Sequence, residues 1–298
     1  MSLTQLIKRH KDYKQMFKEE VGNIKALFQC ENGSIPFSKQ APLLVPSPMD
    51  FNPYIHSGIV GTAYDSWFRA YFQRKNRIMQ EIKMESKVLQ GYERIQHLLP
   101  PKESEELHEK IKNISNLRIS YIQGHDVDEE ELLRGMIVFA YCEHHHRATI
   151  PLREKSYTEP EEVEFRDLKA LADHTKNHLP PFFNVQDPQS VKINPIFGIT
   201  ALFTGGADGD LIVDEAMYDI KSTKDYSYKG DQVYQLIGYY ILDKNNPAKV
   251  FEELIEKIGF YYPRFDQTVF IPTDDLETEV NIDRLWERMM AYHQRTLK

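Results

Sequence analysis

Cysteine is nearly absent: Cys30 and Cys142 are the only two in 298 residues. Two cannot build a disulfide framework, and their scarcity points to a reducing, cytoplasmic setting. No run of about 18 apolar residues occurs, so no membrane span is expected. The N-terminal stretch MSLTQLIKRHKDYKQMF lacks the apolar core of a secretory signal and reads as an amphipathic helix. There is no GxxxxGK[ST] loop, so any coupling to an ATP-driven motor would come from a separate protein partner. Positive charge is in deficit too, with 37 Lys and Arg against 45 Asp and Glu, a net charge of −8. Wholesale coating of nucleic acid is thereby disfavoured, because non-specific binding depends on neutralising phosphates. Basic residues gathered on one surface would still bind DNA.

What is present suffices for a packed core: 41% of the residues are hydrophobic and 12% aromatic. The most informative stretch is GGADGDLIVDEAMYDIKSTKDYSYKGDQVYQLIGYY, residues 205–240. Alternation and β-branched content predict strands over 207–213 and 216–223, with Asp214-Glu215 as the turn. That register faces Val213 with Ala216, Asp210 with Asp219, and Asp208 with Lys221. One face then carries Asp208, Asp210, Ile212, Met217, Asp219 and Lys221. The other carries Leu211, Val213, Ala216, Tyr218 and Ile220 and reads as the core face. Like charges directly opposed across a sheet are destabilising. A hard divalent cation between Asp210 and Asp219 removes that conflict, since Mg²⁺ takes one or two carboxylates with water and phosphate oxygens. Lys221 would then hold the attacking water or neutralise phosphate charge. The plain alternative is a solvated face on which Lys221 compensates two acids.

The order D-L-I-V, Y-D-I-K-S-T and Q-L-I-G-Y resembles the PD-(D/E)xK nuclease superfamily, in its RecB-like branch. Asp210 matches the first acid of that family, Asp219 and Lys221 its (D/E)xK, and Gln235 with Tyr239 its downstream QxxxY. Asn194-Pro195-x-Phe197, residues 205–208 and the later GFYYxR strengthen the likeness, which covers roughly residues 190–270. The resemblance implies an α/β fold, a restriction-endonuclease-like mixed β-sheet core flanked by helices. It implies Mg²⁺ or Mn²⁺ held by Asp210, Asp219 and the Ile220 carbonyl, and a Gln235–Tyr239 pair facing the site or the substrate strand. Two cysteines exclude the four-cysteine iron–sulfur cluster that some RecB-like relatives carry.

The remaining chain is largely helical. Residues 2–30 read as one helix, and the Pro/Ser/Gly-dense 31–60 as a long ordered loop. A helix opening near Gly61, with Thr62 as its cap, mixes Trp67, Phe68, Tyr71 and Phe72 with Arg69, Arg74, Lys75 and Arg77. It is either an aromatic core stripe or the wall of a nucleic-acid groove. Further helices are expected over 102–116, 129–147, 161–177, 231–243, 248–257 and 283–297, with a strand over 257–265. In the helix 129–147, Leu132, Met136, Phe139 and Ala140 form an apolar stripe that also contains Glu143. Glu143 either completes the metal site, as a helix acid does in the resembling family, or pairs with Arg147. His144-His145-His146 point about 100° apart on a helix and read as a surface cluster. His174 and His178 have the i,i+4 spacing of a zinc pair but no third ligand, and read as a polar last turn. His174 stays in reserve as the upstream His that some RecB-like enzymes use. Gln235 and Tyr239 lie opposite the apolar stripe of their helix, so packing does not explain them. They face solvent or the active site. A polar loop over 224–230 would cover the cleft.

Two regions follow from these readings, a mainly helical 1–150 and a nuclease-like core over 151–298. The function they imply is metal-dependent hydrolysis of phosphodiesters, in DNA ahead of RNA. Two rival functions fit the same residues. One is a non-catalytic module binding nucleic acid or a protein partner. The other is a metal-dependent hydrolase of small nucleotides. Fold-level likeness does not decide among them, because one fold hosts many sites.

Overall fold

The computed structural model describes residues 2–79, 84–147, 156–248 and 254–296. In chain order, α1 (Leu3–Arg9) and α2 (Lys11–Val21) precede strand β1 (Gln29–Cys30). Five helices follow: α3 (Ser57–Asn76), α4 (Met84–Ile95), α5 (Pro101–Ile122), α6 (Glu129–Arg147) and α7 (Glu162–Asn177). Strands β2 (Lys192–Ile193), β3 (Leu211–Val213) and β4 (Ala216–Ile220) lead into α8 (Gly230–Lys244). Strands β5 (Lys257–Tyr262) and β6 (Gln267–Pro272) and helices α9 (Thr273–Glu279) and α10 (Ile282–Thr296) close the chain. The protein is therefore mixed α/β with a largely helical first half.

Two compact units form. One comprises Met1–Pro42, Asn184–Lys221 and Asp225–Lys298; the other comprises Leu43–Phe183 with Ser222–Lys224. The division differs from a cut at residue 150. The first two helices belong with the sheet, and α7 belongs with the helices before it.

In the sheet unit, six strands run in the order β1-β6-β5-β4-β3-β2. Among the described residues only β4 and β5 pair in parallel, and α8 is the crossover between them. Parallel neighbours need such a connection. The sequence register holds: Val213 pairs with Ala216 and Leu211 with Tyr218. Asp214 makes the turn with φ +44°, and its carboxylate accepts from Ser190 Oγ at 2.7 Å. The regular strands are shorter than predicted, and β6, one residue beyond the Asp266 turn (φ +50°), was not anticipated.

The single helix expected over 2–30 is broken at His10, whose backbone is extended (φ −106°, ψ 106°). Ser2 and Gln5 form a capping box that starts α1 independently. The break lets α1 pack Leu3 on α8 while α2 turns Tyr13, Met16 and Phe17 into the same core. Gly238 permits the first contact, since a Cβ there would stand 2.7 Å from Leu3 Cδ2.

In the helical unit, α6 is the central element and packs on α3, α4, α5 and α7. It is buried around its whole circumference, as a helix enclosed by others must be apolar all round. That corrects two expectations. The apolar stripe is not one-sided, because Leu133, Ile137, Tyr141 and Cys142 are buried too. The three histidines are not a surface cluster either, for His145 is buried beside Tyr157, ring centroids 5.3 Å apart. Desolvation holds the His145 imidazole down at a pKa of about 4. The aromatics of α3 are core: Trp67, Phe68 and Phe72 are buried. Arg74 donates to the carbonyls of Tyr121 and His125, both at 2.7 Å, rather than lining a groove. Helix α3 begins at Ser57, four residues before the predicted start, so Thr62 is not its cap. Half of the helix expected over 248–257 lies outside the described residues, and residues 254–256 are not helical. No helix among the described residues is long and apolar enough to cross a membrane.

Candidate metal site on the hairpin

The predicted site falls at the end of β4, within the sheet unit. Asp210 immediately precedes β3, and its Oδ2 accepts from the Ile220 amide at 2.7 Å. That bond holds Asp210 against the strand carrying Asp219, close enough for the Asp210 carboxyl to push the Asp219 pKa up. The Lys221 ammonium pairs with Asp219 Oδ2 from the other side. Asp219 is 4% exposed, while Asp210 and Lys221 keep partial access to solvent. The three charged groups therefore lie together just beyond the regular ladder, which ends at Leu211–Tyr218, while Asp208, expected opposite Lys221, instead bridges to Ile196.

Burial dominates the electrostatics. Desolvation pushes the Asp219 carboxyl well above the usual carboxylate range; the Lys221 ammonium opposes that shift and the Asp210 carboxyl adds to it. A buried acid beside a second acid favours its protonated form, and a divalent cation can take the place of that proton. The donor set fits such an ion: one buried carboxylate and one with partial access to solvent, with Ile220, the third predicted ligand, between Asp219 and Lys221 in the chain.

One expectation needs correction. The acid-bearing face is not a solvated face opposite the core, since Ile212 and Met217 on that face belong to the main hydrophobic cluster beneath α8. Leu211, Val213, Tyr218 and Ile220 on the other face are buried as well. Strand β4 is covered on both faces, so it has no outer side to reveal by alternation.

Helix α8 brings the QxxxY pair into the same unit. Gln235 Nε2 donates to Tyr239 Oη at 2.6 Å and to Thr4 Oγ1 at 2.8 Å. Tyr239 is not set apart from packing as expected. Its ring is buried and stacks on Phe197 at 5.4 Å. Burial, with the charges of Asp219 and Asp208, pushes its phenol pKa far up. It is thus a neutral hydroxyl in the field of the acids. Tyr262, one strand over from Asp219, is likewise buried and raised, by desolvation first and Asp219 second. Its hydroxyl is a buried polar atom without a hydrogen-bond partner among the described residues.

Thr4 and Tyr262 escaped sequence reasoning. Tyr262 had a usable signal, two positions along β5 from Phe260, which pairs with Asp219. Thr4 had none, being 231 residues from Gln235. Glu143 lies on α6 in the helical unit and is 2% exposed; the side chain of Arg147, its alternative partner, lies outside the described residues. His174 and His178 stack at 4.4 Å, and His178 Nδ1 lies 3.2 Å from the His174 carbonyl. They form the polar last turn of α7. Tyr226, in the loop expected to cover the cleft, instead anchors that loop by packing on Tyr262 at 5.0 Å.

No family model matches this chain, and no curated protein or solved structure matches it either.

Proposed function

We propose that this protein is a metal-dependent phosphodiester hydrolase of the PD-(D/E)xK type, with a restriction-endonuclease-like sheet and with DNA as its substrate. One observation carries the reading: a carboxyl buried at Asp219, beside the Asp210 carboxyl and paired with Lys221. A buried acid next to a second acid loses hydration and is repelled by its neighbour, a cost that a cation between them offsets.

Asp210 and Asp219 would hold Mg²⁺ or Mn²⁺, with the Ile220 carbonyl as a further ligand. The ion, when bound, supplies Lewis-acid charge to the phosphate and lowers the pKa of a water. Lys221 orients the attacking water and stabilises negative charge as it develops on the phosphoryl oxygens. Gln235 and Tyr239, tied to each other and to Thr4, present fixed polar groups to the substrate strand.

The test is cleavage of single-stranded DNA, double-stranded DNA and RNA in Mg²⁺ or Mn²⁺, by wild type, Asp219→Ala and Lys221→Ala. Metal-dependent cleavage by wild type and its loss in both variants is expected. Equal inertness of all three on every substrate, with binding that weakens steeply with salt, would mark a non-catalytic binder instead.

A further inference from the structure

The helical unit contains a second convergence of ligand-type side chains, unrelated to the hairpin motif. His56 is the residue before α3, Glu161 the residue before α7, and Glu164 lies in the first turn of α7. Their ligand atoms all lie within 4.8 Å of one another, the one such group of three or more among the described residues. His56 Nδ1 is 2.9 Å from Glu164 Oε1 and 3.7 Å from Glu161 Oε2. Glu164 is 0% exposed and His56 is 6% exposed.

We propose that His56, Glu161 and Glu164 form a cation site for a first-row transition dication of the Zn²⁺ type. Three features of the geometry support it. First, both acids approach the same imidazole nitrogen, which gathers one imidazole and two carboxylates around a single point. Second, ligands about 2.0–2.1 Å from a tetrahedral ion stand roughly 3.3 Å apart. The two measured separations bracket that spacing, so an ion fits with small side-chain adjustments. Third, the Glu164 ligand is already oriented: Tyr141 Oη donates to its other oxygen, and the same hydroxyl accepts from the Glu161 amide at 3.3 Å. Hydrogen bonds of this kind, one shell out, fix the direction of a ligating carboxylate.

The chemistry of the set selects the ion. An imidazole with two carboxylates suits Zn²⁺, Co²⁺ or Mn²⁺, whereas Mg²⁺ prefers an all-oxygen shell. The Glu161 side chain is 41% exposed, which provides the entry path a site needs. A bound ion would tie the start of α3 to the start of α7 and so stabilise the helical unit.

The experiment uses the full chain in an Asp219→Asn background, which removes the hairpin carboxylate from competition. Zn²⁺ is titrated calorimetrically, Co²⁺ by its visible ligand-field bands, and the melting temperature is followed with each. One ion per chain, tetrahedral Co²⁺ bands and a rise in Tm are expected. His56→Ala should abolish binding, and Glu161→Gln should weaken it at least about tenfold. Glu161→Gln alters a half-exposed side chain, so it decides the matter should His56→Ala fail to fold. Absence of binding in the background protein, or affinity unchanged by Glu161→Gln, overturns the assignment and leaves a hydrogen-bonded His–Glu–Tyr cluster.

Discussion

The carboxyl of Asp219 meets the ammonium of Lys221, two residues further along the same chain, while the Asp210 carboxyl reaches it from the neighbouring strand. Alternation makes i and i+2 share a face of a strand, so D-x-K places an acid and a base side by side without any further design. The hairpin register adds the second acid. Burial then turns an ordinary ion pair into a site whose charge depends on what occupies it.

Stability should reflect that burial through pH. The Asp219 carboxyl is raised from 3.8 to about 7, so between those values the folded state binds more protons than the unfolded chain. Stability from this group is fully present below the unfolded pKa and is lost as pH rises through the folded one. Asp219→Asn should therefore melt higher than wild type at pH 8, with the gap closing towards pH 4. Melting curves of both proteins across that range check it.

Divalent ions should reverse the penalty. A cation replaces the proton on Asp219, so Mn²⁺ binding releases protons and tightens as pH rises. Mn²⁺ should raise Tm more at pH 8 than at pH 6, with the hairpin contribution lost in an Asp210→Asn, Asp219→Asn double variant. Differential scanning calorimetry at both pH values measures this.

Loss of the ammonium should strike chemistry rather than folding. Lys221→Ala should lower kcat by about 10²–10³-fold, the scale for removing one charge-stabilising donor. KM should change far less, because the group is engaged in the transition state. Steady-state kinetics on the substrate cleaved by wild type separates the two.

Two tyrosines near the acids should respond oppositely. Tyr239 Oη accepts from Gln235, so Tyr239→Phe should destabilise by about 1 kcal/mol. Tyr262→Phe deletes a buried hydroxyl without a partner among the described residues and should leave stability equal or up to about 1 kcal/mol higher. Denaturant titration of each variant gives the sign.

Packing in the helical unit offers a control remote from the hairpin. A Cβ at Gly91 would fall 1.8 Å from the Cys142 carbonyl oxygen. Backbone cannot yield as a side chain can, so Gly91→Ala should cost about 1–3 kcal/mol or more. Thermal melting reads it directly.

Much of the hairpin was legible because its information is local. A two-residue turn between alternating segments sets one register, and that register alone brought Asp210 to Asp219. The buried side of the strand was not legible, since β4 is covered on both faces. The same limit explains α6, whose buried histidine and full circumference of apolar residues obey no single stripe. The break at His10 depends on where Tyr292 lies, as His10 Nδ1 meets Tyr292 Oη at 3.0 Å. No local pattern carries a contact across 282 residues. His56 likewise sits in a Pro-rich stretch that signals only a loop, 108 residues from Glu164.

Crystals soaked in Mn²⁺ and measured at a wavelength where manganese scatters anomalously test the hairpin site most directly. An anomalous peak within about 2–2.5 Å of both the Asp210 and Asp219 carboxylates, with the Lys221 ammonium displaced from Asp219 but still adjacent, is the predicted result. Data showing the ion elsewhere, with no anomalous peak between the two carboxyls at saturating Mn²⁺, would contradict it.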